Sequence, residues 1–287
     1  MYQVTNSDLV RNVCYSILNL TVSFERNNRM TMPIRFKFYL VTIPVVILLL
    51  SGLSAWANSD SSLTSLTTNV EVLRPEFIST SPIIDGNIDE PFWKIAPHVS
   101  GFKTFMPDFD QVPKEQTDVA LAYDRENIYF AFRCYDDPSK IKASVSARDK
   151  MIQDDFICIN LDAFNDHQGL TAFYVNPLDI QADSRFAAGN EDFSPDFVWY
   201  SAGKIDSSGY TVEVQLPLKS LRYNDADPTT MGVILERFIS RRSEHSCFPR
   251  LDPAKGFALL TQMYPLEYSG IEHYKLLEIL PAVTATR

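Results

Sequence analysis

The chain lacks most of what marks an enzyme or a nucleic-acid binder. Its four histidines, His98, His167, His245 and His273, stand apart with no obvious partner. No G-x-S-x-G elbow, H-E-x-x-H pair or phosphate-cradling glycine loop occurs. Basic residues are outnumbered, 26 Lys and Arg against 36 Asp and Glu, for a net charge of −10. Such a chain repels phosphate backbones and anionic membrane surfaces, which excludes nucleic acid as a partner and favours neutral ligands or cations. Glycine is scarce at ten residues, and no long amphipathic helical stretch is present. Four cysteines occur, and once Cys14 is set aside with the leader, Cys134, Cys158 and Cys247 cannot all pair with one another. Their spacing matches no metal motif. Cys134 and Cys158 sit inside strand-like stretches, where buried free thiols are common.

What is present begins with a leader. From Met32 a short basic segment (Arg35, Lys37) precedes an apolar run from Tyr39 to Leu53 and then Ser54-Ala55-Trp56-Ala57. This is the order of a secretory signal cleaved after Ala57. A membrane anchor would want roughly 20 apolar residues, and Pro44 interrupts this run. Residues 1–31 precede a better start at Met32 and read as an over-long beginning. The leader carries five basic residues against two acids, so its removal leaves −13. Export places the protein in the periplasm, at an outer membrane or outside the cell. Residues 58–70, rich in Ser, Thr and Asn, read as a flexible link, and order is expected from Glu71.

The body of the chain alternates with the period of strands. Arg148–Arg185 reads as a central hairpin. Ile157, Ile159 and Leu161 share one face and Phe156, Cys158 and Asn160 the other; Phe173 and Val175 then oppose Ala172, Tyr174 and Asn176. Asp162 to Gly169 is turn chemistry between them. Val119–Tyr123 and Ile128–Tyr135 form a second hairpin, Phe197–Ile205 and Tyr210–Leu216 a third, Met231–Arg242 a long strand, and Gly256–Gln262 a closing one. Asp89 to Ala96 reads as one or two helical turns with Asp89 as N-cap and Trp93 in the core. Many short strands with regular turns predict an all-β, antiparallel β-sandwich of jelly-roll type over residues 71–262. The tail, 263–287, holds Tyr264-Pro265-Leu266 and Leu276 to Pro281, an extra strand without a partner. Arg237, Arg241 and Arg242 with Glu236 and Glu244 read as an ion-pair network.

An ordered set of motifs carries a family resemblance. Ile84-Asp85-Gly86 leads into Ile88-Asp89-Glu90, Trp93 and Ala96; then come Arg148-Asp149, Asp154-Asp155-Phe156 with Leu161-Asp162, and Gly209-Tyr210-Thr211 with Glu213 and Pro217. This resembles the family 9 carbohydrate-binding modules across nearly all of residues 75–262. It is similar above all to versions that head large outer-membrane proteins, through Phe173 to Asp183 and Leu221-Arg222-Tyr223. Leu277 to Pro281 resembles the opening of the barrel that follows there. The resemblance implies a calcium-associated β-sandwich that binds sugar ends. At the sugar-contacting positions the sequence departs from the family: Met151 or Ile152 stands for a stacking Trp, Cys158 for a Glu, Tyr174 for an Arg, and the region of Phe248 for a second Trp.

Sugar recognition needs flat apolar faces and paired polar groups. On the semi-polar strand faces the candidates are Asn160, Tyr174, Asn176, Trp199, Glu213, Gln215 and Phe248, with an ordinary outward polar face as the alternative for each. A calcium site needs several hard oxygens. Asp162, Asn165 and Asp166 of the central turn, or Asp183 with Asp179, Asp192 and Asp196, would supply them, unless they cap backbone amides as turn residues do. The expected function is an exported, non-catalytic carbohydrate-binding module whose partner is a glycan. The alternatives are a periplasmic docking domain for an outer-membrane barrel with the sugar site lost, and, third, a glycosidase in its own right.

Overall fold

The computed structural model describes residues 71–274. The signal segment, the 58–70 link and Leu276–Pro281 lie outside them. In chain order the strands are β1 (Glu76–Phe77), β2 (His98–Val99), β3 (Lys103–Met106), β4 (Thr117–Tyr123), β5 (Asn127–Tyr135), β6 (Phe156–Asp162), β7 (Gly169–Val175), β8 (Gln181–Ala187), β9 (Asn190–Asp192), β10 (Tyr200–Asp206), β11 (Gly209–Pro217), β12 (Thr229–Ile239), β13 (Glu244–Phe248) and β14 (Tyr264–Tyr268). They form two sheets. The smaller runs β1-β4-β5-β11-β10 with β2 also on β4, and the larger runs β3-β13-β12-β6-β7-β8-β9 with β14 also on β12. Pairing is antiparallel except for β1, which runs parallel to β4.

Alternation decides what each sheet buries. Ile157, Ile159 and Leu161 of β6, Phe173 and Val175 of β7 and Val233 and Leu235 of β12 point inward. They meet Val119, Leu121, Phe130, Phe132, Val212 and Val214 of the smaller sheet. Each fully buried side chain of this kind contributes roughly 1.5–3 kcal/mol. Cys134, Cys158 and Cys247 are free thiols and all buried.

The two outer faces are apolar as well. On the smaller sheet, Ala120, Ala122 and Ala131 leave a low surface on which Trp93, Ile78 and Ala96 pack. Trp93 belongs to a short 3-10 turn, Pro91–Lys94, whose N-terminal boundary is Glu90 rather than Asp89 and which has no side-chain cap. The Glu90 carboxylate accepts from the Trp93 Nε1 at 3.0 Å and from the Ile83 backbone N–H at 3.0 Å, so it ties the turn down instead of capping it. On the larger sheet, Met151, Phe156, Cys158, Ile234 and Phe238 form a second outer cluster beneath Leu251, Leu260 and Met263.

Three further expectations change. Gly256–Gln262 is no strand: Pro253–Gln262 is a 3-10 segment, with the Asp252 side chain accepting from the Ala254 N–H at its start. Tyr264-Pro265-Leu266 does have a partner, because β12 is long enough to hold β13 along Leu235–Ile239 and β14 along Thr229–Val233. Pro265 is tolerated there because β14 is an edge strand. The basic cluster forms the expected network and keeps Glu244, but Asp136 and Glu115 take the place of Glu236. Arg237, fully buried, pairs with Asp136 at 3.1 Å; Arg241 reaches Asp136 at 2.8 Å and Glu115 at 3.0 Å; Arg242 pairs with Glu244 at 3.0 Å and with Glu115. Glu236 takes no part, since the neighbouring strand position points to the opposite face.

Candidate functional site

Glu236 lies instead on the outer face of the larger sheet, where β12, β6, β7 and β9 bring polar groups to a small pocket. Cys158 is the Cα partner of Glu236 across the β6–β12 pair, and Asn160 sits two residues along on the same face. The Asn160 Nδ2 donates to the Glu236 Oε1 at 3.0 Å. Burial, followed by the nearby Glu191 carboxylate, pushes the Glu236 carboxyl up to about 7. Glu191 is held on the far side of the pocket. Its Oε1 accepts from the Tyr174 hydroxyl at 2.7 Å and the Ser184 hydroxyl at 2.6 Å.

The walls are apolar. Phe193 lies over the Tyr174 ring at 6.0 Å, Phe156 meets Tyr174 edge-on at 5.7 Å, and Ile152 and Leu259 close the rim. His245 of β13 enters between Phe238, 4.4 Å away, and Phe156, 6.2 Å away. Burial alone drives its imidazole down to about 4, so it is neutral at neutral pH. The cavity measures about 100 Å³, below the roughly 300–1,000 Å³ of drug-sized sites. It suits one end of a ligand rather than a chain lying across the sheet. The arrangement offers hydroxyl-binding groups between ring faces.

Of the residues singled out in the sequence, Asn160 and Tyr174 meet here. The others do not join them. Asn176 is fully buried, its Nδ2 donating to Asp154 Oδ2 at 3.0 Å and its Oδ1 accepting from the Leu178 and Ile180 N–H groups, so it locks a turn. Trp199 packs edge-on against Phe173 at 5.3 Å and Phe248 lies against Tyr264 at 5.1 Å, both within the inter-sheet core. Glu213 and Gln215 sit on the outer face of the smaller sheet. The Glu213 Oε2 accepts from the Asp85 and Gly86 N–H groups at 3.1 and 2.9 Å, and the Gln215 Nε2 donates to Asn127.

The oxygens expected to hold calcium are taken up elsewhere. Asp162 Oδ2 accepts from the His167 N–H at 2.8 Å and Asp166 Oδ1 from the Gln168 N–H at 2.9 Å. Asn165 adopts a left-handed φ of 51° in the same turn. Asp183 points inward and binds Arg148 and the Phe197 N–H. Among the described residues, no group of three or more His, Cys, Asp or Glu side chains could hold a metal ion. Asp162, Asn165, Asp166 and Asp183 therefore do not fit a shared calcium site.

Glu236, Glu191 and His245 were not read as site residues. Glu236 carried a usable signal: a Glu between Leu235 and Arg237, with Ile234 and Phe238 on its own face, is a carboxylate set into an apolar strand surface. Glu191 and His245 carried none, because nothing local says that β9 and β13 flank the same pocket.

The chain is thus a two-sheet, mostly antiparallel sandwich with a small pocket holding polar groups on one outer face. Residues 84–239 match the model of the carbohydrate family 9 binding domain-like family, and the chain belongs to that family. No curated protein matches the chain. Among solved structures, it is similar to a family 9 carbohydrate-binding module from Caldicellulosiruptor kristjanssonii in complex with cellotriose, at 19% identity, 74% of this chain, 100% of that one and a TM-score of 0.49. The same organism's module with glucose gives 19%, 71%, 99% and 0.49. A candidate carbohydrate-binding protein from Bacteroides uniformis gives 11% identity, 68% and 96% coverage and a TM-score of 0.50. Likeness at these identities speaks to the fold alone.

Proposed function

We propose that the chain is an exported, non-catalytic carbohydrate-binding module that takes the end of a glycan into the pocket between Asn160, Tyr174, Glu191 and Glu236. One observation carries this reading. Tyr174, and Ile152 of the Met151 or Ile152 alternative, stand at positions where the family resemblance puts sugar contacts, and they line the pocket together with a hydrogen-bonded Asn160–Glu236 pair. Sugar hydroxyls would bond to the Asn160 amide, the Tyr174 hydroxyl and the Glu236 carboxyl, and the apolar ring face would lie along Phe193. Bound in this way, the module would raise the local concentration of a partner enzyme or barrel at the glycan.

The test is a glycan array followed by calorimetry on the full chain. A sugar should bind at millimolar concentration or below, and Glu236→Gln and Asn160→Ala should each weaken it about tenfold, ~1.4 kcal/mol. A second reading, a periplasmic docking domain for an outer-membrane barrel, draws support from Met151. It is 1% exposed and packed into the outer cluster, so no stacking platform projects there. If no sugar binds at millimolar concentration, the carbohydrate reading fails and docking replaces it.

A further inference from the structure

A second and wider cleft, about 500 Å³, opens past the Leu170 and Phe186 ends of β7 and β8. Its size falls within the range of small-ligand sites. Its walls come from separate parts of the chain: Phe164 and Gln168 from the β6–β7 turn, Arg185 from β8, Phe197 from the segment before β10, and Ser220 and Arg222 from the corner after β11.

The two arginines stand out. Arg74, Arg133, Arg148, Arg237, Arg241, Arg242 and Arg250 are each ion-paired with a carboxylate. Arg125, Arg185 and Arg222 have no such partner among the described residues, and of these three Arg185 and Arg222 border the cleft. The Arg185 guanidinium rests over the Phe197 ring at 5.7 Å, and it faces Asp192 across the β8–β9 pair without forming a direct ion pair. A guanidinium left unpaired beside a cleft is a ready partner for a carboxylate, which it can bind through two parallel hydrogen bonds. In a chain of net charge −10, two of them border this one cleft, both exposed to an incoming ligand.

Asp162 and Asp166 also border the cleft; their carboxylates keep their charge while accepting from the His167 and Gln168 N–H groups, with Asp162 buried in the turn and Asp166 exposed at the rim. The remaining polar groups are neutral. The Gln168 side chain is free to bond, and Ser220 donates its proton to the Val198 carbonyl while keeping lone pairs for an incoming hydroxyl. Phe164 is 43% exposed and offers a flat apolar face.

We infer that this cleft is a second ligand site, specific for an acidic sugar residue. The uronate carboxylate sits against Arg185 and Arg222, the ring hydroxyls bond to Gln168 and Ser220, and the apolar ring face lies on Phe164. The charge preference rests on the arginines; the sugar ring rests on the carbohydrate reading above.

Calorimetry on the full chain with glucuronate, glucose and inorganic sulfate tests it. Glucuronate should bind at least tenfold more tightly than glucose. Arg185→Gln and Arg222→Gln should each cost about tenfold in glucuronate affinity, while Arg250→Gln, on the Asp110 side of the molecule, should leave it unchanged. Both cleft arginines are exposed, so an unchanged melting temperature confirms that the variants remain folded. If sulfate binds as well as glucuronate, the cleft is an anion site and the sugar assignment falls. If glucose binds as well as glucuronate, or glucuronate binding survives both arginine changes, the cleft assignment is overturned and the carbohydrate reading stands. If no sugar binds at all, both fall.

Discussion

The two outer faces of the sandwich each bury a glutamate, and they use it in opposite ways. Glu213, on the smaller sheet, is pushed up to about 7, chiefly by burial, and is fully covered. One of its oxygens accepts from two backbone N–H groups of the Asp85–Gly86 turn, and the other has no partner. Gly86 makes that approach possible: its φ is +82°, and a Cβ there would lie 3.0 Å from the Lys204 side chain. Glu236, on the larger sheet, reaches the same value for the same leading reason, but its donor is one side-chain amide and it borders a pocket. Burial and proton affinity therefore do not separate a structural carboxyl from an available one. The partner does, since a carboxylate bound to backbone is fixed with the fold, whereas one bound to a side chain beside open space can exchange partners.

Breaking the closed face should have the largest effect. Trp93→Ala removes the side chain that roofs Ala120, Ala122 and Ala131, and a fall in stability of about 4 kcal/mol is expected from the lost burial and the cavity left behind. Urea denaturation of the full chain measures it. Glu213→Ala follows at about 3 kcal/mol, because the buried Gly86 N–H and the part-buried Asp85 N–H lose their acceptor. Glu213→Gln keeps an acceptor oxygen and should cost far less. If the Ala and Gln changes destabilise equally, the backbone bonds are not what Glu213 contributes, and the contrast with Glu236 loses its basis.

The same pair of faces shows how much could be read from the sequence. Alternation identified inward and outward positions correctly in β6, β7 and β11, and with them the sandwich. It could not say to which sheet an outward position belongs. Glu213 and Gln215 alternate as cleanly as Asn160 and Tyr174, yet face the other side of the molecule, because β11 pairs with β5 and β10 rather than with β6. Nor could it show that a face is covered by a distant segment, as Ile78 and Trp93 cover the smaller sheet and Pro253–Gln262 edges the larger. Trp199 and Phe248 were read as displayed aromatics because aromatics suit both a binding face and a core. The β12 ladder settles Phe248, whose Cα partner is the inward-facing Leu235.

The remaining effect, and the one most specific to the open face, concerns pH. The Glu236 carboxyl titrates near 4.5 when free and at about 7 in the fold, so the folded chain holds this proton more tightly. Its contribution to stability is complete below pH 4.5 and is lost as the pH rises through 7. Glu236→Gln removes that loss while keeping an oxygen for the Asn160 Nδ2. The difference in unfolding free energy between variant and parent should be flat below pH 4.5, grow in the variant's favour between 4.5 and 7, and level off at about 3 kcal/mol above that. His245 runs the other way: depressed to about 4 by burial, it contributes stability present above its ordinary 6.5 and lost as the pH falls through 4. It is common to both proteins and cancels in the difference. A flat difference from pH 4 to 8 would mean that the Glu236 carboxylate is already solvated when ionised, and its likeness to Glu213 would end there.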